Sequence, residues 1–205
     1  MEDKMMKIRT LLDQNASRYS DTVVYRDWVE MMACALHNEV LYSSEVEKAY
    51  MSIAEKYTRE EIFRFVKAFA ALTDLFEEEI RDWLGFEYMR QGGNAKTGQF
   101  FTPFHLSEVV ASLQPPLAME MIEEPACGSG SMILARAKYL HSKNIAYQDT
   151  MCVTAIDVDR HCVMMAYVQL SLAGIQAKVV QGNTLTGDFH SCWYTPMYML
   201  KGCDF

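Results

Sequence analysis

The spacing of apolar residues along this chain changes near residue 90. Before that point they recur at three- and four-residue steps. In "SSEVEKAYMSIAEKY", Val46, Tyr50, Ile53 and Tyr57 fall on one helical face, and Ser44 with Glu47 has the spacing of a capping box. "TREEIFRFVKAFAALTDLFEEEIRDWL" repeats the device with Thr58 and Glu61. Its Ile62, Phe65, Val66, Phe69, Leu72, Leu75 and Phe76 make a broad apolar stripe, which predicts one continuous helix. An earlier helix is expected over "YRDWVEMMACALHNEVL". The aromatic and methionine side chains of all three read as core.

"RQGGNAKTGQ", residues 90–99, has no periodicity and reads as a loop and a domain boundary. It separates a helical domain, 1–90, from a second domain, 91–205. There the short apolar runs "AMEMIEE", "MCVTAIDV" and "AKVVQG" alternate with helical patterns, "SMILARAKYLHSK" and "DRHCVMMAYVQLSLAG". That alternation predicts βαβ units around a parallel sheet, hence an α/β fold, with Gly174 closing the second helix.

Half of the 205 residues are hydrophobic, enough for a packed core, and no apolar run approaches the roughly 20 residues a membrane helix requires. The start, "MEDKMMK", lacks a signal peptide's apolar stretch, so a soluble cytoplasmic protein without membrane attachment is expected. Six scattered cysteines form no C-x-x-C pair and no zinc-type cluster. They read as reduced thiols, with no metal. The net charge of −8 divides into −6 over residues 1–90 and −2 over 91–205. Non-specific nucleic-acid affinity needs a basic face, and neither half offers one in composition.

Chemistry concentrates at the predicted strand ends. In "MIEEPACGSGSMILARA" an apolar run ends in Glu123 and Glu124. Pro125 stops it, and Gly128-Ser129-Gly130 turns the chain into a helix near Ser131. Glycines there let a ligand lie against backbone, and the helix start offers free N–H groups. Asp157 ends the next strand, 33 residues after Glu124. It is either a ribose-binding acid or an ordinary turn residue, while Asp159 reads as a helix N-cap. "KVVQGN" ends a third strand in Gly182 and Asn183. Such ends lie together along the carboxyl edge of a doubly wound sheet. A nicotinamide fingerprint would need a third glycine at position 133, which is Ile133.

"TGQFFTP", "EPACGSG", "AIDVD" and "GNTL", in this order, resemble the adenine-N6 DNA methyltransferases, especially the modification subunits of type I restriction systems. The likeness is close over residues 97 to about 185 and loose over the helical start. It implies a Rossmann-like sheet, here incomplete, and S-adenosylmethionine as cofactor. Glu124, Pro125 and the loop Ala126, Cys127, Gly128, Ser129 and Gly130 would hold the methionine part. Asp157, with Val158 beside it, would take the ribose; Asn183, with Thr184, would meet the adenine edge. Phe100, Phe101 and Thr102 would form a lid, with the aromatic rings offering cation–π attraction to a sulfonium. The other reading of the two phenylalanines is an apolar anchor for the following helix. By the same resemblance, DNA would be met together with a specificity subunit.

In that family N-P-P-Y/F after the fourth strand holds the target adenine, which is flipped out of the duplex. No N-P-P occurs here. The nearest string is "WYTPMY", whose Thr195, Pro196 and Tyr198 are weak candidates for that role, since a hydroxyl accepts only part of the amide's hydrogen-bond pattern. "WYTPMYML" is expected as a fourth, parallel strand after an eleven-residue crossover from Gly182 to Cys192. The cut sheet would expose an edge for the N-terminal helices or a second copy of the chain to cover. Two accounts stay open: a fragment of a longer methyltransferase, or a non-catalytic interaction and assembly module with a degenerate methyltransferase fold.

Overall fold

A computed structural model describes residues 2–93 and 100–203. The chain divides into two compact units, 1–79 and 80–205, so residues 80–90 group with the second unit instead of the helical one.

The first unit contains four helices: α1 (Glu2–Asp13), α2 (Asp21–Val40), α3 (Ser44–Ala54) and α4 (Arg59–Glu78). Thr58 and Glu61 close the predicted capping box at the start of α4. The cap of α3 is Ser43 rather than Ser44, its hydroxyl accepting from the Val46 amide. Val24, Tyr25, Trp28, Val29, Phe65, Leu72 and Leu75 are buried between these helices, as the apolar periodicity requires. The long helix expected from Thr58 to Leu84 ends at Glu78. Glu79 is extended, and Asp82 starts a new helix, α5 (Trp83–Arg90), by accepting from the Gly85 amide. The apolar stripe runs on through this break, so periodicity alone does not reveal it. No helix among the described residues is long and apolar enough to cross a membrane.

The second unit continues with α6 (Phe104–Ser112), β1 (Glu120–Glu124), α7 (Ser131–Ser142), a single turn α8 (Tyr147–Thr150), β2 (Met151–Asp157), α9 (Arg160–Leu172), β3 (Gln176–Asn183), β4 (Asp188–Tyr194) and α10 (Pro196–Lys201). The sheet order is β1-β2-β3-β4. The first two pairings are parallel, as the alternating pattern predicts, and the third is antiparallel. The expected parallel crossover to a fourth strand is therefore corrected to a hairpin. Gly187, at φ 76°, closes a tight turn with its amide on the Asn183 carbonyl, and so short a link permits only an antiparallel return. "PMYMLK" is helix, not strand, with Thr195 as N-cap and Pro196 in the first turn.

Buried Val153, Ala155, Ala177 and Val179 pack the sheet against α9, which is itself buried along nearly its whole length. Arg136 on α7 clamps β1 in place. It donates from two nitrogens to Glu120 and to the carbonyls of Ala111, Gln114 and Pro115. The opposite face of the sheet is open: Thr154, Ile156, Lys178, Val180, Phe189 and Cys192 line a hollow of about 530 Å³. Among the described residues no strand pairs with the outer edge of β1. The reading of all six cysteines as reduced thiols is also corrected. Cys152 at the start of β2 is disulfide-bonded to Cys203, which the turn after α10 carries back to the sheet. Cys34, Cys127, Cys162 and Cys192 form no disulfide.

Candidate cofactor site at the carboxyl edge of the sheet

β1 ends at Glu124, and the next six residues turn the chain into α7. The turn rests on two glycines in the left-handed region, Gly128 at φ 53° and Gly130 at φ 91°. Side chains other than glycine rarely adopt that backbone, so the G-S-G spacing follows from the shape of the turn. The Cys127 amide donates to the Ile156 carbonyl of β2, and the Gly130 amide back to Cys127. Gly130, the N-cap of α7, brings no side chain to the helix start. Unsatisfied N–H groups there make the first turn a place for an anionic group.

Asp157 ends β2 beside this turn. One carboxylate oxygen accepts from the Gly128 amide at 2.9 Å, and the other from the Asp159 amide at 2.9 Å. Asp157 therefore anchors the glycine turn as well as standing at the strand end. Burial pushes its carboxyl above the ordinary value, against the pull of these amides. A carboxylate offers about four acceptor sites, so its bonds to backbone amides leave capacity for a ligand hydroxyl. Next to it Val158 is exposed, while Asp159 caps α9 as expected, accepting from the His161 amide. Glu124 accepts weakly from the Ala126 amide at 3.4 Å. The third strand end joins them, the Thr184 hydroxyl donating to the Pro125 carbonyl at 2.8 Å. Asn183 turns its side-chain oxygen to the Leu185 amide.

The predicted lid is partly in view. Gly98 and Gln99 lie outside the described residues. Phe101 lies over Gly128 so closely that a Cβ there would stand 3.2 Å from the ring. Its ring also packs on Tyr88 of α5, with centroids 5.5 Å apart. Phe100 and Thr102 are exposed. Phe100, Phe101, Thr102, Glu124 and Ala126 to Ser129 enclose, with Ser131 and Met132, a hollow of about 90 Å³. Small-molecule sites usually measure about 300–1,000 Å³, so this space takes part of a nucleoside cofactor. Asp157, Val158 and Asn183 do not line it. The hollow over the open sheet face and one of about 620 Å³ against Ile62, Phe63 and Val66 are larger. Neither gathers the strand-end loops, and ligands of open α/β sheets bind at those loops.

Thr195, Pro196 and Tyr198 are not brought to this place. The Thr195 hydroxyl donates to the Ile175 carbonyl, just before β3, and accepts from the Ala177 amide near its start. From Ala177 to Asn183 is six strand residues, about 20 Å at roughly 3.3 Å each. Thr195 is fully buried and its hydroxyl is spent on backbone. The hairpin that reversed β4 carried the T-P-M-Y string to the amino end of the sheet.

The sequence reading also missed residues that shape the site, Asp82 and Gln169 among them. Asp82, Gln169 and Ser129 form a buried network beneath the glycine turn. The resemblance places Ser129 in the cofactor loop without this brace, and Tyr88, the ring behind Phe101, belongs to no motif. The strings "DWLG" and "VQLSL" carry no local sign of this, because the partners lie 47 and 87 residues apart.

Two parallel strands, the first ending in a glycine turn and the second in an acid, form the kind of edge at which open α/β sheets bind their ligands. Comparison with known proteins narrows the class. Residues 72–201 match the family model "N-6 DNA Methylase", and the chain belongs to that family. The type I restriction enzyme MjaVIII methylase subunit of Methanocaldococcus jannaschii is 36% identical over 97 residues, 44% of this chain. The chain covers 15% of that relative's length. A solved structure from Listeria monocytogenes, assigned to the class I S-adenosylmethionine-dependent methyltransferases, aligns over 86% of this chain and 52% of its own. Its identity is 19% and its TM-score 0.43. S-adenosylmethionine is the cofactor the family implies. The site fits it in kind: side-chain-free backbone lies beneath an aromatic ring, with Glu124 and Asp157 close by to balance a cationic sulfur.

Proposed function

We propose that this chain binds S-adenosylmethionine at the carboxyl edge of its sheet, as the cofactor-holding part of a DNA adenine-N6 methyltransferase of a type I restriction–modification system. One observation carries the reading: the Phe101 ring, the turn Ala126–Gly130, Asp157 and Thr184 from four separate segments meet around one loop. When bound, the cofactor supplies the methyl group as an electrophile. Glu124 and the turn hold its amino-acid end, Asp157 accepts from its ribose, and Val158 and Asn183 flank its base. Phe101 keeps water from the sulfur.

This chain contains no N-P-P, and the Thr195 hydroxyl is spent on backbone, so neither supplies a grip on a target adenine. The net charge of −8 makes DNA contact a task shared with a specificity subunit, inside the cytoplasm. A second reading, a non-catalytic assembly module, draws support from the outer edge of β1, unpaired among the described residues, and the open sheet face.

Calorimetric titration of the purified chain separates the two. Saturable one-to-one binding of S-adenosylmethionine, with none of NAD, is the expected result. No heat and no thermal stabilisation by S-adenosylmethionine would leave the assembly module standing.

A further inference from the structure

Asp82 lies outside every motif named so far, yet its buried carboxylate is the centre of a closed network. Oδ2 accepts from the Ser129 hydroxyl at 2.7 Å. Oδ1 accepts from the Gln169 side-chain amide at 2.8 Å and from the Gly85 amide at 2.9 Å. The same Gln169 nitrogen donates to the Ser129 carbonyl at 2.8 Å, and Gln169 Oε1 accepts from the Leu84 amide at 2.9 Å. Both hydrogens of the Gln169 amide are thus used, and Ser129 is gripped by its hydroxyl and its carbonyl together.

Ser129 is the residue between the two left-handed glycines. A turn of that kind is free to move unless something fixes its middle. A second observation shows how tightly the network is built: a Cβ on Gly85 would stand 2.2 Å from Ser129 Oγ and 2.3 Å from Asp82 Oδ2. Position 85 must therefore be glycine for the three side chains to meet. The helix that Asp82 caps also carries Tyr88, against which the Phe101 ring rests. Floor and roof of the cofactor hollow both depend on α5. Burial raises the Asp82 carboxyl above its ordinary value, while its hydrogen-bond donors hold it down. Burying such a group costs stability, and apolar side chains would brace the helix more cheaply.

We propose that Asp82 is a positioning residue for the cofactor turn: acting with Gln169 through Ser129, it fixes the backbone of Gly128–Gly130 and, through α5, sets Phe101 above it. The inference rests on the cofactor reading given above. It extends that reading to a residue that touches no ligand.

The test is S-adenosylmethionine affinity, by calorimetry, of Asp82→Ala, Asp82→Asn, Ser129→Ala and the Asp82→Ala/Ser129→Ala pair, each with a urea unfolding curve. Asp82→Asn keeps an acceptor for Gly85 and Gln169 and offers an N–H to the Ser129 oxygen, so it should restore binding to within about fivefold of wild type. Asp82→Ala should weaken binding about 10- to 100-fold and Ser129→Ala about tenfold, the pair being no worse than Asp82→Ala alone. A merely structural role predicts penalties that track unfolding stability, with no such coupling. Wild-type affinity in folded Asp82→Ala and Ser129→Ala, or penalties that simply add, would overturn the proposal. Should Asp82→Ala not fold, undiminished binding by Ser129→Ala overturns it equally. A wild-type chain that binds no S-adenosylmethionine removes the cofactor reading and this inference with it. Normal binding by wild type and variants alike removes this inference alone.

Discussion

Each end of the sheet starts a helix, and the two do so with opposite results for a ligand. At the amino end, Thr195 caps α10, and its hydroxyl is consumed by the Ile175 carbonyl and the Ala177 amide in a fully buried setting. At the carboxyl end, Gly130 caps α7 without a side chain, and Asp157 is tied on both oxygens yet keeps acceptor capacity beside exposed Val158. The first end is finished as packing. The second is braced from below, by Asp157 and by the Asp82 network, while its upper side stays open to a ligand. A polar residue at a strand end therefore signals a site only when its hydrogen-bonding capacity outlasts the fold.

Four substitutions probe this contrast. The largest effect is expected from Gly128→Val. A β-branched residue at φ 53°, with its Cβ 3.2 Å from Phe101, closes the cradle, so calorimetry should detect no S-adenosylmethionine binding. Circular dichroism should still report the helices of residues 1–79 as folded.

Next in size is Glu120→Gln, which leaves Arg136 buried without its counter-charge. It should cost about 3–5 kcal/mol in urea unfolding at neutral pH. Burial raises the Glu120 carboxyl, but Arg136 and the Leu117 amide outweigh it and hold it below the ordinary 4.5. A depressed carboxyl contributes stability that is present above that value and lost as pH falls through its folded value. The gap between wild type and variant should accordingly narrow below about pH 4.5; a gap that widens there contradicts the pairing.

Asp157→Ala should weaken cofactor binding by about 1–3 kcal/mol, since it removes ligand acceptors and frees the Gly128 amide. Thr195→Ala has the smallest expected effect. The loss of a cap and two backbone bonds should lower stability by about 0.5–2 kcal/mol while cofactor affinity holds. A fall in affinity as large as that of Asp157→Ala would erase the distinction between the two ends.

What could be read from the chain divides by range. The glycine turn, Asp157, the cap at Asp159 and three parallel strands are local patterns, each written within about a dozen residues. The direction of β4 depended on one glycine, Gly187, whose left-handed turn converts a crossover into a hairpin. With it went the placement of Thr195. The break between α4 and α5 was hidden because apolar spacing continues across it, and only Asp82, paired far along the chain, explains it. The Cys152–Cys203 link was illegible for the same reason: its partners are 51 residues apart and share no motif. Sequence disclosed the loops gathered at the carboxyl edge and concealed the residues that hold them in place.

Hydrogen exchange of the backbone amides, measured with and without S-adenosylmethionine, tests the central claim most directly. The cofactor should slow exchange at Ala126–Ser131 and at Asp157 and Val158, and leave Tyr194–Lys201 unchanged. Protection confined to the amino end of the sheet, or to the open face around Lys178 and Cys192, would contradict the account.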